Sequence, residues 1–292
     1  MAPSKEFTPL VPPKDVRPRS AFFGPSGRKN MLRDQLTITS WLALGALIQG
    51  LAFLVLGRLA LLPAAALVFY RVFVIYAQSV GWLHNTFMDG VIMSKFSSQL
   101  PDENGKYGSV PAKDDVVVFL IGTRFNHPLG LLAPGVREFG GFMSSMIDQL
   151  DKEGFEDYLG STSWLNAGTR DTSNELLIVQ YWRSTEGLHK YANGPLHRES
   201  WDWFNRNTKA YPHLAIYHET FKAPAGNHET IYLNSHASHL ASTTTKVWEN
   251  GEEKWASPMV DASRGLLRTH LGRMTRGTGE EHAERGVKTI YE

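Results

Sequence analysis

The chain has 292 residues, 42% apolar and 20% charged, which suits one large domain or two small ones and excludes global disorder. Its 30 basic and 29 acidic side chains nearly balance, which argues against a nucleic-acid protein. The balance hides a split: residues 1–90 carry 9 basic and 4 acidic groups, and residues 91–292 carry 21 and 25.

There is no cysteine. Disulfides, thiolate nucleophiles, iron–sulfur clusters and thiolate-ligated haem are therefore excluded, and the chain fits a reducing compartment. It also lacks a Walker motif, a strand-linked G-x-G-x-x-G, a G-x-S-x-G elbow and an H-E-x-x-H, so no nucleotide, nicotinamide or zinc-protease reading follows from motifs.

Residues 1–35 are polar and proline-rich, with Lys14, Arg17, Arg19, Arg28, Lys29 and Arg33, and read as a flexible basic arm. Leu36 to Leu56 is then a run of 21 residues without a charge, long enough at ~1.5 Å per residue to cross a ~30 Å hydrocarbon layer. Gly57 and Arg58 break it, and Leu59 to Ala77 is a second apolar run carrying only Arg71. Residues 36–80 are thus expected to form a membrane-associated helical hairpin. A mid-helix arginine costs about 2.5–3.5 kcal/mol on insertion, which leaves open whether the second segment spans or lies shallow. A signal peptide would start nearer the N-terminus, and a buried soluble hairpin is the other alternative. The basic flank places the arm in the cytosol, and a hairpin returns the rest of the chain to that side. An endoplasmic-reticulum membrane fits this orientation.

From residue 91 to 240 the pattern becomes α+β. Asp115 to Phe125 (DVVVFLIGTRF) reads as a central strand covered on both faces. After Pro134–Gly135, Val136, Phe139, Met143, Met146, Ile147 and Leu150 recur at helical steps until Gly154. Residues 156–164 and Glu175 to Trp182 (ELLIVQYW) read as strands flanking a turn region from Asn166 to Asn174. Ser184 caps a short helix that ends at Asn193–Gly194, Pro195 restarts helix to about Thr208, and Leu214 to Phe221 is a fourth strand. This β-α-β-β-α-β order is ferredoxin-like. Its helix-free face needs cover, which pairing two sheets in a homodimer supplies. Glu229 to Leu233 suggests one more strand, residues 241–292 read as a partly disordered extension, and 275–292 are polar enough to fray.

Chemistry concentrates in Tyr181 to Trp203 (YWRSTEGLHKYANGPLHRESWDW). His197, Trp201 and Phe204 fall at i, i+4 and i+7, which predicts an imidazole on the sheet-facing stripe of the second helix. The alternative is a histidine satisfied by a backbone carbonyl or filling space beside Trp201. On the last strand His218 and Glu219 must face opposite ways, so only one lines a helix-side pocket: His218 with Ile216 and Thr220, or Glu219 with Tyr217 and Phe221. Glu219 has a rival role as an ion-pair partner in a dimer interface. His213 is expected to be exposed. His236 and His239 form an H-x-x-H in a Ser/Thr-rich loop with no third ligand at a defined spacing, so no metal is predicted.

The β-α-β-β-α-β order together with YWRSTEGLHKYANGPLHRESW, the HLAIYHETF strand and the following NHETIYLN resembles the fungal membrane-anchored monooxygenases of the fumagillin-pathway polyketide type. These are related to the antibiotic-biosynthesis monooxygenases. The resemblance covers residues 35–240. It implies a dimeric α/β barrel and oxidation of a hydrophobic secondary-metabolite intermediate, polyketide- or terpenoid-like.

Without a dinucleotide fingerprint, the expected chemistry is oxygenation without flavin or nicotinamide. A base removes an activated proton, a donor holds the anion, and a dry cavity lets the anion meet O₂. His197 is the first candidate base and His218 or Glu219 the second. Tyr181, Tyr217 or Tyr232 would donate to the oxyanion, while Trp182, Trp201 and Phe204 exclude water and stack on the substrate. The competing readings are haem chemistry with His197 or His218 as axial ligand, a non-redox cyclase or isomerase, and a non-catalytic lipophile-binding protein.

Overall fold

In the computed structural model of the chain, residues 6–20, 25–153, 155, 157–166 and 175–276 are described. The central unit is an antiparallel sheet of β2 (Val116–Phe125), β3 (Tyr158–Leu165), β4 (Glu175–Trp182) and β5 (Leu214–Ala223) in the order β3-β4-β2-β5. The helices α4 (Val136–Glu153), α5 (Thr185–Ala192) and α6 (Pro195–Asn207) complete the ferredoxin-like order expected from the sequence. Ser184 caps α5 through a 2.9 Å bond from the Gly187 N–H. The predicted turn lies outside the described residues beyond Asn166.

Strand parity sorts the side chains onto two faces. On the helix face Val117, Ile178, Trp182 and Tyr158 pack against Met146, Ile147 and Leu150 of α4 and against Leu188 and Tyr191 of α5. Deleting a fully buried aromatic such as Trp182 from this layer would cost about 3–5 kcal/mol. The other face needs no second protomer over its first half. Val116, Leu159, Val179 and Tyr181 are covered there by Leu100 and Leu240 of the same chain.

That cover belongs to a part of the fold of which the sequence suggested only one strand, over Glu229 to Leu233; the strand is found at Tyr232–Ser235. The strands β1 (Ile92–Ser98), β6 (Tyr232–Ser235) and β9 (Met259–Asp261) form a second sheet in the order β6-β1-β9. β7 (Thr245–Glu249) and β8 (Glu252–Ala256) make a hairpin around Asn250–Gly251, whose φ of 53° and 83° suit a tight turn with both residues left-handed. Val247, Ala256, Val260, Ala262 and Leu267 are buried, so the extension expected to be partly disordered is folded through residue 276. Residues 277–292 lie outside the described residues.

The arm expected to be flexible is also docked over residues 6–20. Its backbone pairs with the C-terminal strands: Leu10 N–H donates to the Met259 carbonyl at 3.0 Å, and Lys14 exchanges bonds of 2.8 and 2.9 Å with Trp255. The Arg17 guanidinium donates to the carbonyls of Leu150 at 3.0 Å and Tyr158 at 2.6 Å and lies 4.5 Å from the Trp255 ring centroid. Composition scored this segment as polar, but its order comes from main-chain pairing, which composition does not record.

After α1 (Pro25–Arg33), the apolar runs form α2 (Ile38–Leu56) and α3 (Leu61–Ser79), which are joined through a short 3₁₀ segment. Thr37 caps α2, and Gly57 at φ 55° ends it. The Gln49 side chain donates to the Ala60 carbonyl at 2.9 Å. Eleven residues along a straight helix would put those groups about 16 Å apart, so the chain folds back here. The stretch Ile38–Ser79 is long and apolar enough to cross a membrane and almost wholly unburied, unlike the core hairpin of a soluble protein.

Candidate functional site

β5 settles which of its two adjacent polar residues faces the helices. Leu214 and Ile216 belong to the helix-side core with Phe125, Phe139 and Phe204, so His218 shares their face and Glu219 takes the opposite one. His218 pairs across to Ile121 and its ring lies 5.4 Å from that of Phe119, at the exposed rim of the sheet.

His197 approaches the same face from α6, and Pro195 at the first turn fixes its place. Its half-buried ring meets that of Tyr191 edge-on at 6.2 Å. The imidazole lines a small void of about 40 Å³ with Phe119, Ile121, Gln180, Leu188 and Tyr191. Burial in this apolar setting pulls its pKa below the usual histidine value. The Ala192 carbonyl opposes that shift, and the nearby His218 adds to it. A neutral imidazole, able to accept a proton, is the form favoured at neutral pH.

The void shares Ile121, Met143 and Ile147 with a larger cavity of about 720 Å³ between the sheet and α4. Phe125, Phe139, Leu176 and Ile178 make its apolar body; Ser144, Asp148 and Asp151 with Arg19 and Ser20 of the arm make a polar end. None of the candidates named from sequence lines this larger cavity. Among the described residues no histidine lines it, so a haem seated there would find no axial imidazole from His197 or His218.

The remaining candidates separate. Trp201 does not share the inward face with His197: it is 51% exposed and stacks on Phe204 at 5.9 Å. Leu196, Trp203 and Phe204 of α6 pack inward, so of the predicted stripe Phe204 and the void-lining His197 face the core side and Trp201 does not. Trp182 is wholly buried among core residues rather than on a cavity wall.

Tyr181, Tyr217, Glu219 and Tyr232 lie on the far side of the sheet from His197. The Tyr217 ring lies over Gly122, where a Cβ would come within 2.1 Å of it. Its hydroxyl donates to Glu175 at 2.7 Å, and burial together with that bond pushes its pKa up to about 12. Glu219 is exposed. Tyr232 stacks on Phe96 at 4.8 Å and, with buried Tyr181, His228 and His239, bounds a separate cavity of about 370 Å³. Side chains on opposite faces cannot converge on one reacting atom, so these tyrosines do not serve an anion formed beside His197.

The group placed to do so is Gln180, which sequence reading missed. It is buried on the helix face, and Trp182 Nε1 donates to its Oε1 at 3.1 Å, which leaves the amide NH₂ as the donor presented to the void. The available signal was an amide at a core-facing position of ELLIVQYW.

His236 and His239 do not converge. His236 Nε2 bonds the Asp89 carbonyl at 2.7 Å, and the His239 ring stacks on Trp164 at 5.1 Å. Among the described residues no group of three or more potential ligands is placed to hold a metal.

A family described as "Monooxygenase af470-like" matches residues 116–240, which hold the whole four-stranded sheet. Over 276 residues, 93% of this chain and 98% of the relative, the sequence is 32% identical to Monooxygenase af470 of Aspergillus fumigatus. The chain belongs to the af470-like monooxygenase family. It is an oxidoreductase, as that membership establishes. Among solved structures it is similar to an aldoxime dehydratase in complex with butyraldoxime, at 18% identity and a TM-score of 0.36 over 43% of this chain and 36% of that one. It is also similar to SnoaB, a cofactor-independent oxygenase from Streptomyces nogalater, at 13% identity and a TM-score of 0.26 over 37% and 91% of the two chains.

Proposed function

We propose that this monooxygenase oxidises a hydrophobic secondary-metabolite intermediate, polyketide- or terpenoid-like, directly with O₂ and without flavin or nicotinamide, while anchored to a membrane. The observation that carries the reading is His197, a half-buried imidazole of lowered pKa lining a void that shares Ile121, Met143 and Ile147 with the wall of the 720 Å³ cavity.

The cavity holds the apolar body of the substrate and brings an activated methylene to the void. His197 takes one proton from it, and the Gln180 amide donates to the resulting oxyanion. The electron-rich anion reduces O₂ and forms a carbon–oxygen bond. Loss of the second hydrogen with O–O cleavage leaves a carbonyl and releases the other oxygen atom as water. Substrate supplies all the electrons, so no external reductant is consumed. Phe119 and Tyr191 keep the void dry and offer faces for a conjugated chain.

Anchoring rests on the Ile38–Ser79 stretch, whose leucines and phenylalanines are largely exposed among the described residues. Folding back at Gly57 supports a hairpin whose two ends share the cytosolic side with the basic flank, as at an endoplasmic-reticulum membrane. Homodimerisation is proposed through the half of the open sheet face that the chain leaves uncovered, where Trp164, Tyr217 and Phe221 are exposed.

Turnover under ¹⁸O₂ tests the chemistry. One labelled oxygen in the product and one in water, with no reductant added, is the expected result; product formed at the same rate under nitrogen would rule the reading out in favour of a cyclase or isomerase.

A further inference from the structure

We propose that the Gly130–Leu132 loop is a second bilayer contact, beside the root of the apolar helices, that seats the Leu131 wall of the large cavity on the lipid surface. The proposal rests on the membrane anchoring argued above and adds a site that the anchoring does not require.

Gln35 stands three residues before α2, and its side chain spans to this loop. Its amide donates to the Leu129 carbonyl at 2.7 Å and accepts from the Leu131 N–H at 3.1 Å. The two bonds tie the start of the apolar helix to a segment 94 and 96 residues further along the chain. The loop is thereby held beside the point where α2 would enter a membrane.

The side chains that the loop presents fit that position. Leu129 is 52% and Leu132 76% exposed, flanking a partly buried Leu131. Leu131 lines the large cavity, as does Met31 of α1, seven residues before α2 begins at Ile38. One wall of the cavity is therefore built from the two segments that Gln35 clamps together, with an apolar side chain of the loop on either side. Leu36 at the head of α2 is also exposed. At roughly 25 cal/mol per Å² such leucines are costly to leave in water, and a bilayer already engaged by α2 is the adjacent apolar medium. A hydrophobic substrate dissolved in the bilayer would then reach the cavity without crossing water.

The absence of cysteine makes a direct test simple, because a single introduced thiol carries the only label. Full-length Leu132→Cys, Phe69→Cys on α3 and Glu252→Cys in the β7–β8 hairpin are labelled with an environment-sensitive fluorophore. Each is reconstituted in vesicles of phosphatidylcholine with an anionic lipid. Label at position 132 should be quenched by nitroxide-bearing lipid as at 69 and shielded from aqueous iodide, with the reverse at 252. Label at 132 that behaves like 252 while 69 stays lipid-quenched would overturn the loop contact and leave the anchoring intact. Label at 132 shielded from both quenchers would overturn it in favour of a protein partner. An aqueous label at 69 would overturn the anchoring and with it this proposal.

Discussion

Gly140 offers a way to fill the proposed substrate cavity without damaging the fold. It lies inside α4 and lines the cavity, and a Cβ built on it meets no atom within 4 Å. Gly140→Leu should raise helix stability by about 1 kcal/mol, because glycine is the poorest ordinary residue in a helix interior. For a chain of this size that corresponds to a rise of roughly 2–4 °C in thermal midpoint. The same leucine places four carbons where substrate carbons would lie. At about 0.8 kcal/mol per displaced methylene the loss in binding is about 3 kcal/mol, or on the order of 10²-fold in affinity. Thermal melting and substrate titration on one preparation read both quantities. A variant that melts higher yet binds substrate as tightly as the parent would show that this cavity does not hold the substrate.

The lowered pKa of His197 gives a second expectation: kcat/KM should rise with pH along a limb whose midpoint lies below 6.5, since the neutral form is the base. The sign for stability follows from the same shift. Well above pH 6.5 neither folded nor unfolded His197 binds a proton; as pH falls through that value the unfolded chain takes one up first, so the native state loses stability, and His197→Gln should flatten this part of the curve of midpoint against pH. Tyr217→Phe removes the bond to Glu175 on the far face; it should cost about 1 kcal/mol at most in stability and leave kcat unchanged, and a large fall in turnover would mean that the open face takes part in the chemistry.

Much of the central unit was legible because its signals are periodic. ELLIVQYW and the Val136 to Leu150 stripe match β4 and α4 closely, and Ser184 and Pro195 mark real helix starts. The parts that were missed depend on pairing distant in sequence. β1 is held by β6 and β9, more than 130 residues away, and residues 6–20 are ordered by main-chain bonds to β8 and β9, which leave no pattern in a local window. The β7–β8 hairpin was readable: Asn250–Gly251 between TKVWE and EEKWA is the strongest short hairpin signal there is. On α6, the spacing placed His197 facing the sheet, where it lines the small void, but misplaced Trp201. Which side of the helix is buried is decided by what Trp203 and Phe204 pack against, and that leaves Trp201 half-exposed. Parity separated His218 from Glu219 in the sequence, yet only the positions of Leu214 and Ile216 in the core decided between them.

The proton-abstracting role of His197 is tested most directly by turnover and thermal midpoint of His197→Gln measured on the same full-length preparation, beside His218→Gln and Glu219→Gln. Glutamine keeps most of the volume and a hydrogen bond but cannot act as the base, so His197→Gln should lose on the order of 10²-fold or more in kcat with the fold retained, while Glu219→Gln, across the sheet, turns over normally. A fully active His197→Gln enzyme, with His218→Gln inactive, would move the base to the rim of the sheet and contradict the assignment made here.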